Sequence, residues 1–91
     1  MSTAEATKFP CPCCGYLTLS EAERGSYEIC PVCLWEDDAS QFEDPDSDTG
    51  ANSVSLAEAR RNFAEYGASE ERFARQVRPP QDDEIPAEDN S

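Results

Sequence analysis

Cys11-Pro12-Cys13-Cys14-Gly15 and Cys30-Pro31-Val32-Cys33 decide how this chain folds. Each stretch holds a C-x-x-C pair, Cys11 with Cys14 and Cys30 with Cys33, and fifteen residues lie between the pairs. A C-x-x-C turn sets two sulfurs on one side of a tight loop, about one tetrahedron edge apart. Two such turns close the four-coordinate shell of a structural Zn²⁺. Pro12 and Pro31 fix φ at the start of each turn. Gly15 follows the first pair, where the backbone needs φ > 0. Leu34 stands at the matching place after the second pair, so the two turns are expected to differ. The chain has no histidine, which leaves sulfur as the ligand atom. The expected ligands are Cys11, Cys14, Cys30 and Cys33, around one structural zinc. Iron in a rubredoxin-like site is the second choice, because fifteen intervening residues are few for that arrangement. Four thiolates leave no position for water, which argues against a catalytic zinc.

Ninety-one residues make one small domain. Against 20 acids stand 7 lysines and arginines, a formal charge of −13. One zinc and four thiolates take this to about −15. Such a balance argues against nucleic-acid phosphates and an anionic membrane surface as partners, and it suits a basic protein. The candidate core is thin: Tyr16, Leu17, Leu19, Tyr27, Ile29, Leu34, Trp35, Phe42, Leu56, Phe63, Tyr66, Phe73 and Val77. A core of that size needs a staple, and structural zinc supplies an apparent ~10–16 kcal/mol in small zinc peptides. Residues 1–9 lack the basic start and apolar run of a secretory signal, and no stretch reaches membrane-span length. Five cysteines, an odd number, fit a disulfide framework poorly. A cytoplasmic location is expected.

Between the cysteine pairs, Tyr16-Leu17-Thr18-Leu19 alternates, and Tyr27 and Ile29 share a face on the approach to Cys30. Gly25 supplies turn chemistry between them, so these two segments are predicted to form the hairpin. From Glu36 to Ser53 there are seven acids and no base, which reads as a surface loop. Ser55-Leu56-Ala57-Glu58 is a capping box, and Leu56, Ala59, Phe63 and Tyr66 form one stripe before Gly67. The spacing predicts a helix over 56–66. A second helix is predicted from a Ser69 cap to near Val77, ended by Pro79, with Glu71 and Arg75 as an i,i+4 pair. The expected fold is therefore a small metal-stabilised α+β domain, a zinc-ribbon β-hairpin followed by an acidic loop and two short α-helices. Its organisation is a disordered N-terminus at 1–8 and a single domain at 9–78. Within the domain lie the ribbon (9–38), the loop (39–54) and the helices (55–78). A disordered acidic tail follows at 79–91.

Cys13 is the fifth thiol. It fits the tetrahedron less well than Cys11 or Cys14 and is either a small filler or a redox thiol able to oxidise or exchange. Four thiolates around it repel a fifth negative charge, and no basic residue adjoins it in sequence. Asp44-x-Asp46-x-Asp48 opens like a calcium loop. Thr49 and Ser55 then occupy positions that would need glycine and glutamate, so a solvated loop is favoured. Trp35-Glu36-Asp37-Asp38 follows the last ligand and is a candidate partner surface, with the Trp35 ring buried and the acids displayed. Arg60, Arg61, Arg72, Arg75 and Arg78 are expected to pair with the nearby acids.

These segments resemble the bacterial cysteine-rich family named for its CPCC motif. The resemblance rests on CPCCGYLTL at 11–19, YEICPVCLWEDD at 27–38, EDPDSDTGANSVSLAEARRNFAEYGASEERF at 43–73 and VRPP at 77–80. The family often carries phenylalanine where this chain has Leu34, and sometimes cysteine where it has Ser69. The resemblance implies a small zinc-binding bacterial protein and brings no activity with it. The expected function is a non-enzymatic interaction module that engages a basic protein. One version is an inhibitor or immunity-type protein that neutralises a cationic partner such as a nuclease. The alternative is a thiol-based redox sensor or zinc-linked switch using Cys13.

Overall fold

The computed structural model describes residues 8–86. The disordered N-terminus expected at 1–8 lies outside them apart from Lys8, as does the tail beyond 86. In order come strands β1 (Phe9–Pro10) and β2 (Leu17–Leu19), helices α1 (Ala39–Glu43) and α2 (Leu56–Tyr66), and 3₁₀ turns at Glu71–Phe73 and Asp82–Glu84. The class is the expected one, a small α+β zinc-ribbon-like fold. Several of the segments that build it differ from the prediction.

The first difference is the hairpin. β2 pairs antiparallel with β1, Pro10 opposite Leu17, and not with the Tyr27–Ile29 stretch. That stretch folds onto 35–37 instead, with Ile29 bridged to Glu36. Each cysteine turn thus closes its own short hairpin. The backbone bonds repeat with an offset of nineteen residues: Gly15 N–H to Cys11 O (2.8 Å) and Leu34 N–H to Cys30 O (2.7 Å), then Cys11 N–H to Tyr16 O (2.9 Å) and Cys30 N–H to Trp35 O (3.0 Å). The two turns are therefore alike in backbone, contrary to the expectation drawn from Gly15 and Leu34. Gly15 has φ 82° and Leu34 has φ 67°, the same left-handed conformation.

The core lies between the two knuckles and α2. It comprises Cys11, Cys13, Leu19, Cys30, Val32, Cys33, Trp35, Leu56 and Ala59, with Tyr16, Val54 and Phe63 packed against it. α2 forms as its sequence dictates: Ser55 Oγ accepts from Glu58 N–H at 3.0 Å, and Gly67 ends the helix at φ 78°. Only half of the capping box is made, because the Glu58 carboxylate turns to Arg61 at 2.7 Å. Tyr16 meets Phe63 edge to face at 6.2 Å, which joins α2 to the first knuckle. Tyr27 and Ile29, expected inside, are exposed, as are Phe42 and Tyr66 in part.

The segment predicted as a solvated loop is organised from within. Asp38 Oδ1 accepts from Ser40 N–H (2.8 Å) and Gln41 N–H (3.2 Å), which starts α1 where no helix was expected. Gln41 is fully buried. Its Nε2 donates to the carbonyls of Ser47 (3.1 Å), Asn52 (3.3 Å) and Val54 (3.0 Å), while its Oε1 accepts from Asn52 N–H (3.1 Å) and Nδ2 (2.9 Å). Buried polar atoms so placed satisfy one another, and the loop needs no apolar filling. Gly50 is required there: a Cβ would sit 2.7 Å from Asp38 Oδ2 and 2.9 Å from Gln41 Cγ.

The second predicted helix is reduced to the turn at Glu71–Phe73. Ser69 does not cap it: the turn starts from Glu70 with no side-chain cap, and the Ser69 backbone is held elsewhere. Its N–H donates to Cys33 O at 2.7 Å and its carbonyl accepts from Asn62 Nδ2 at 2.9 Å. The predicted tail also acquires structure. Glu84 is buried and takes a two-pronged bond from Arg78 (2.8 and 2.7 Å), and Arg78 N–H bonds Pro31 O at 3.2 Å. The chain past Pro80 thus turns back onto β2, with Glu84 held by Arg78, despite carrying almost no apolar mass.

Candidate metal centre

The sulfurs of Cys11, Cys14, Cys30 and Cys33 all lie within 4.8 Å of one another. The contacts run between knuckles: Cys11 Sγ to Cys33 Sγ is 3.6 Å and Cys14 Sγ to Cys30 Sγ is 3.7 Å. A tetrahedron of sulfurs about 2.3 Å from a zinc ion has edges of ~3.8 Å. The four residues therefore fit a four-coordinate metal, two ligands from each knuckle. Three of them are buried and Cys14 is partly exposed.

Backbone geometry explains the convergence. In each knuckle the first cysteine carbonyl accepts from the residue four further on, and the left-handed residue there turns the chain back. The turns are held from outside by Arg60 Nε on Pro12 O (2.9 Å), Arg78 N–H on Pro31 O (3.2 Å) and Ser69 N–H on Cys33 O (2.7 Å). The C-terminal half is thus hooked onto both knuckles.

Hydrogen bonding within the cluster spreads its acidities. Contacts with Cys11, Cys14 and Cys33 hold the Cys30 thiol far below its ordinary range, helped by the Thr18 hydroxyl, which donates to Cys30 Sγ at 3.0 Å. Cys11 is lowered too, chiefly through Cys14. Cys14 and Cys33 are pushed up, each chiefly by Cys11, with burial adding to the effect. Crowded sulfurs cannot all ionise beside one another, and a divalent cation removes that conflict by displacing the protons.

Cys13 does not join the cluster. It sits one knuckle position from the ligands, where the second knuckle has Val32, and both side chains are buried in the core. It occupies the place of a small apolar residue.

Of the candidate partner surface at Trp35, Glu36, Asp37 and Asp38, only Glu36 is accessible. The Trp35 ring is buried, 1 % exposed, but so are Asp37 (0 %) and Asp38 (5 %), which removes these two acids as a display. The physical reason is that the acids serve the fold. Asp37 Oδ2 accepts from Gly25 N–H, Ser26 N–H and Ser26 Oγ, and its other oxygen lies 3.5 Å from Arg24 Nη1. Asp38 caps α1 and accepts from Ala51 N–H at 2.8 Å. Bonding to Ser40 first, then to these backbone groups, holds its carboxyl below the usual range. Asp44, Asp46 and Asp48 are exposed, and among the described residues only the cysteines converge as a metal-sized group. Of the arginines, Arg61 pairs with Glu58, Arg72 with Glu70 and Arg78 with Glu84, while Arg60 is spent on the Pro12 carbonyl.

The residues missed from sequence are Thr18, Gln41 and Asn52. Asp38-x-x-Gln41 had the form of a capping box and could have exposed α1. Nothing local marks Asn52, whose amide bonds the Glu36 N–H and C=O at 2.9 and 2.8 Å across sixteen residues.

No curated protein matches the chain. The profile of the Cysteine-rich CPCC family matches residues 9–84, most of the sequence and both knuckles, and the chain belongs to that family.

Proposed function

We propose that this protein is a zinc-holding, non-catalytic interaction module whose partner is a basic protein. The observation that carries the reading is the closed set of four sulfurs from two knuckles, which leaves no ligand position for a substrate. Zinc and iron both take a tetrahedral set of sulfurs, and zinc is favoured because fifteen residues between the pairs are few for a rubredoxin-like iron site. The net charge of −13 supports a cationic protein partner, and a cytoplasmic setting keeps the thiols reduced. Neutralisation of a basic enzyme is one form this would take. The burial of Cys13 favours this reading over a thiol switch, since reactive thiols sit in partly exposed, electropositive places.

The test has two parts. Metal analysis and thiol titration of the purified protein are expected to give one zinc per chain, with the four ligand thiols protected while the metal is held and all five thiols reactive once it is chelated and the chain unfolded. Immobilised metal-loaded protein is expected to retain basic proteins from a bacterial lysate at low salt and release them at high salt. Retention that is indifferent to salt, or none at low salt, would refute the basic-partner reading. Stoichiometric iron would refute the zinc assignment.

A further inference from the structure

The repeat within the molecule supplies its own control. In the first knuckle the left-handed position is Gly15, and a Cβ built there meets nothing within 4 Å. In the second it is Leu34, which pays about 1–2 kcal/mol for that conformation. Its side chain is not part of the buried core. With Ile29 and Phe73 it lines a shallow depression of about 280 Å³, beside Glu36, Glu70 and Arg72. The other non-glycine residue with positive φ among the described residues is Tyr27, at 62°, two residues before Ile29. Tyr27 is 59 % exposed and Ile29 58 %. Strain of this kind persists only where the surroundings impose it, and it clusters at functional surfaces.

The backbone beside these side chains is open. Ile29 faces Glu36 as a pair without mutual hydrogen bonds, because the ladder uses Glu28 O with Asp37 N–H and Cys30 N–H with Trp35 O. The Ile29 N–H and C=O therefore point away from residues 35–37. On the far side, the matching groups of Glu36 are both taken by the Asn52 side-chain amide. Among the described residues no backbone bond reaches those of Ile29. In the first knuckle the same place is held by Pro10, which has no N–H to offer an incoming strand. One edge is blocked and one is filled, while the third leaves the N–H and C=O of Ile29 free between Tyr27, whose N–H bonds Asp37 O, and Pro31, whose carbonyl takes the Arg78 N–H.

We propose that the Ile29–Leu34 face is the docking site of the module, and that it takes an extended, alternately apolar and basic stretch of the partner by strand addition. The proposal rests on the basic-partner reading and adds where that partner is held. Charge decides the occupant. Glu36, beside Ile29 on the bridge, makes no ion pair among the described residues, whereas Arg72 is spent on Glu70 at 2.7 Å and stacks on Phe73 at 4.6 Å. A second copy of a chain carrying −13 would be repelled, while lysines flanking an apolar residue would be drawn in.

The test titrates the zinc-loaded full chain with two synthetic peptides of equal charge, one alternating valine with lysine and one alternating serine with lysine. The valine peptide is expected to bind about tenfold tighter, with the Ile29 amide resonance shifting on binding. Leu34→Gly copies the first knuckle and relieves strain, so it is expected to stay folded and metal-loaded while losing that margin. Ile29→Ser is expected to lose it as well, and Phe42→Ser, on another face, to keep it. Equal binding of both peptides, or a margin that survives Leu34→Gly, would overturn the docking site and leave the basic-partner reading standing. Failure of both peptides to bind at low salt would overturn the two together. A concentration-dependent dimer abolished by Leu34→Gly would assign the face to a second copy instead.

Discussion

The two knuckles share a backbone and differ in nearly every side chain that surrounds it. Cys11–Tyr16 and Cys30–Trp35 make the same pair of backbone bonds and each contributes two sulfurs. The first uses glycine at the turn, a half-buried tyrosine after it and a proline on its edge. The second uses leucine, a fully buried tryptophan and an isoleucine whose edge is open. Bringing four sulfurs to one point constrains the turn and leaves its flanks free. One flank serves the core through Trp35, and the other is turned to the surface.

The strongest way to break this comparison is to remove what the knuckles share. Chelation of the metal, or Cys11→Ser or Cys33→Ser, is expected to unfold both knuckles together and to release α2. The lost ion is worth an apparent ~10–16 kcal/mol in small zinc peptides. Circular dichroism would show it, and a cooperative melt that survives chelation would contradict the metal-held fold. Next comes the contrast between equivalent aromatics. Trp35→Ala is expected to cost about 3–5 kcal/mol, and Tyr16→Ala, half-buried, about 1–2 kcal/mol, measured by denaturant unfolding of the metal-loaded protein.

The third contrast concerns the sulfurs. Thr18 donates to Cys30, so Thr18→Val keeps the shape and removes the donor. Metal affinity is expected to fall about tenfold in competition with a chelator, while the metal-loaded fold is retained. A smaller effect sharpens the turn itself: Gly15→Ala is expected to destabilise by about 1 kcal/mol and Leu34→Gly to be neutral or stabilising, read as opposite shifts in Tm. The smallest is local. Bonding to Arg78 holds the Glu84 carboxyl below its ordinary range, so the docking of 81–85 is complete above the unfolded carboxyl pKa of about 4.3. It is lost as pH falls through the lower folded value. Glu84→Gln is expected to speed amide exchange at Ile85 at neutral pH without moving the main transition.

Tyr27 and Ile29 show why the sequence pattern points to a hairpin that the structure does not form. Their apolar alternation marks an extended segment correctly, but alternation does not say which face is covered or which segment pairs with it. Asp37 and Asp38 mislead in the same direction. Acids in a charged run look solvated until backbone N–H groups from residues a dozen positions away are found aimed at them.

The chain alone determined what short range can impose: two sulfur pairs from local turns, α2 from its cap and apolar stripe, and an acidic surface from composition. Each depends on residues within a few positions of one another, whose geometry the backbone fixes regardless of context. Tertiary structure decided the rest: which strands pair, which acids go inside, how Gln41 and Asn52 hold the loop, and which edge stays open at Ile29. Those outcomes are set by hydrogen-bond partners distant in sequence, and no local pattern encodes which distant group will arrive.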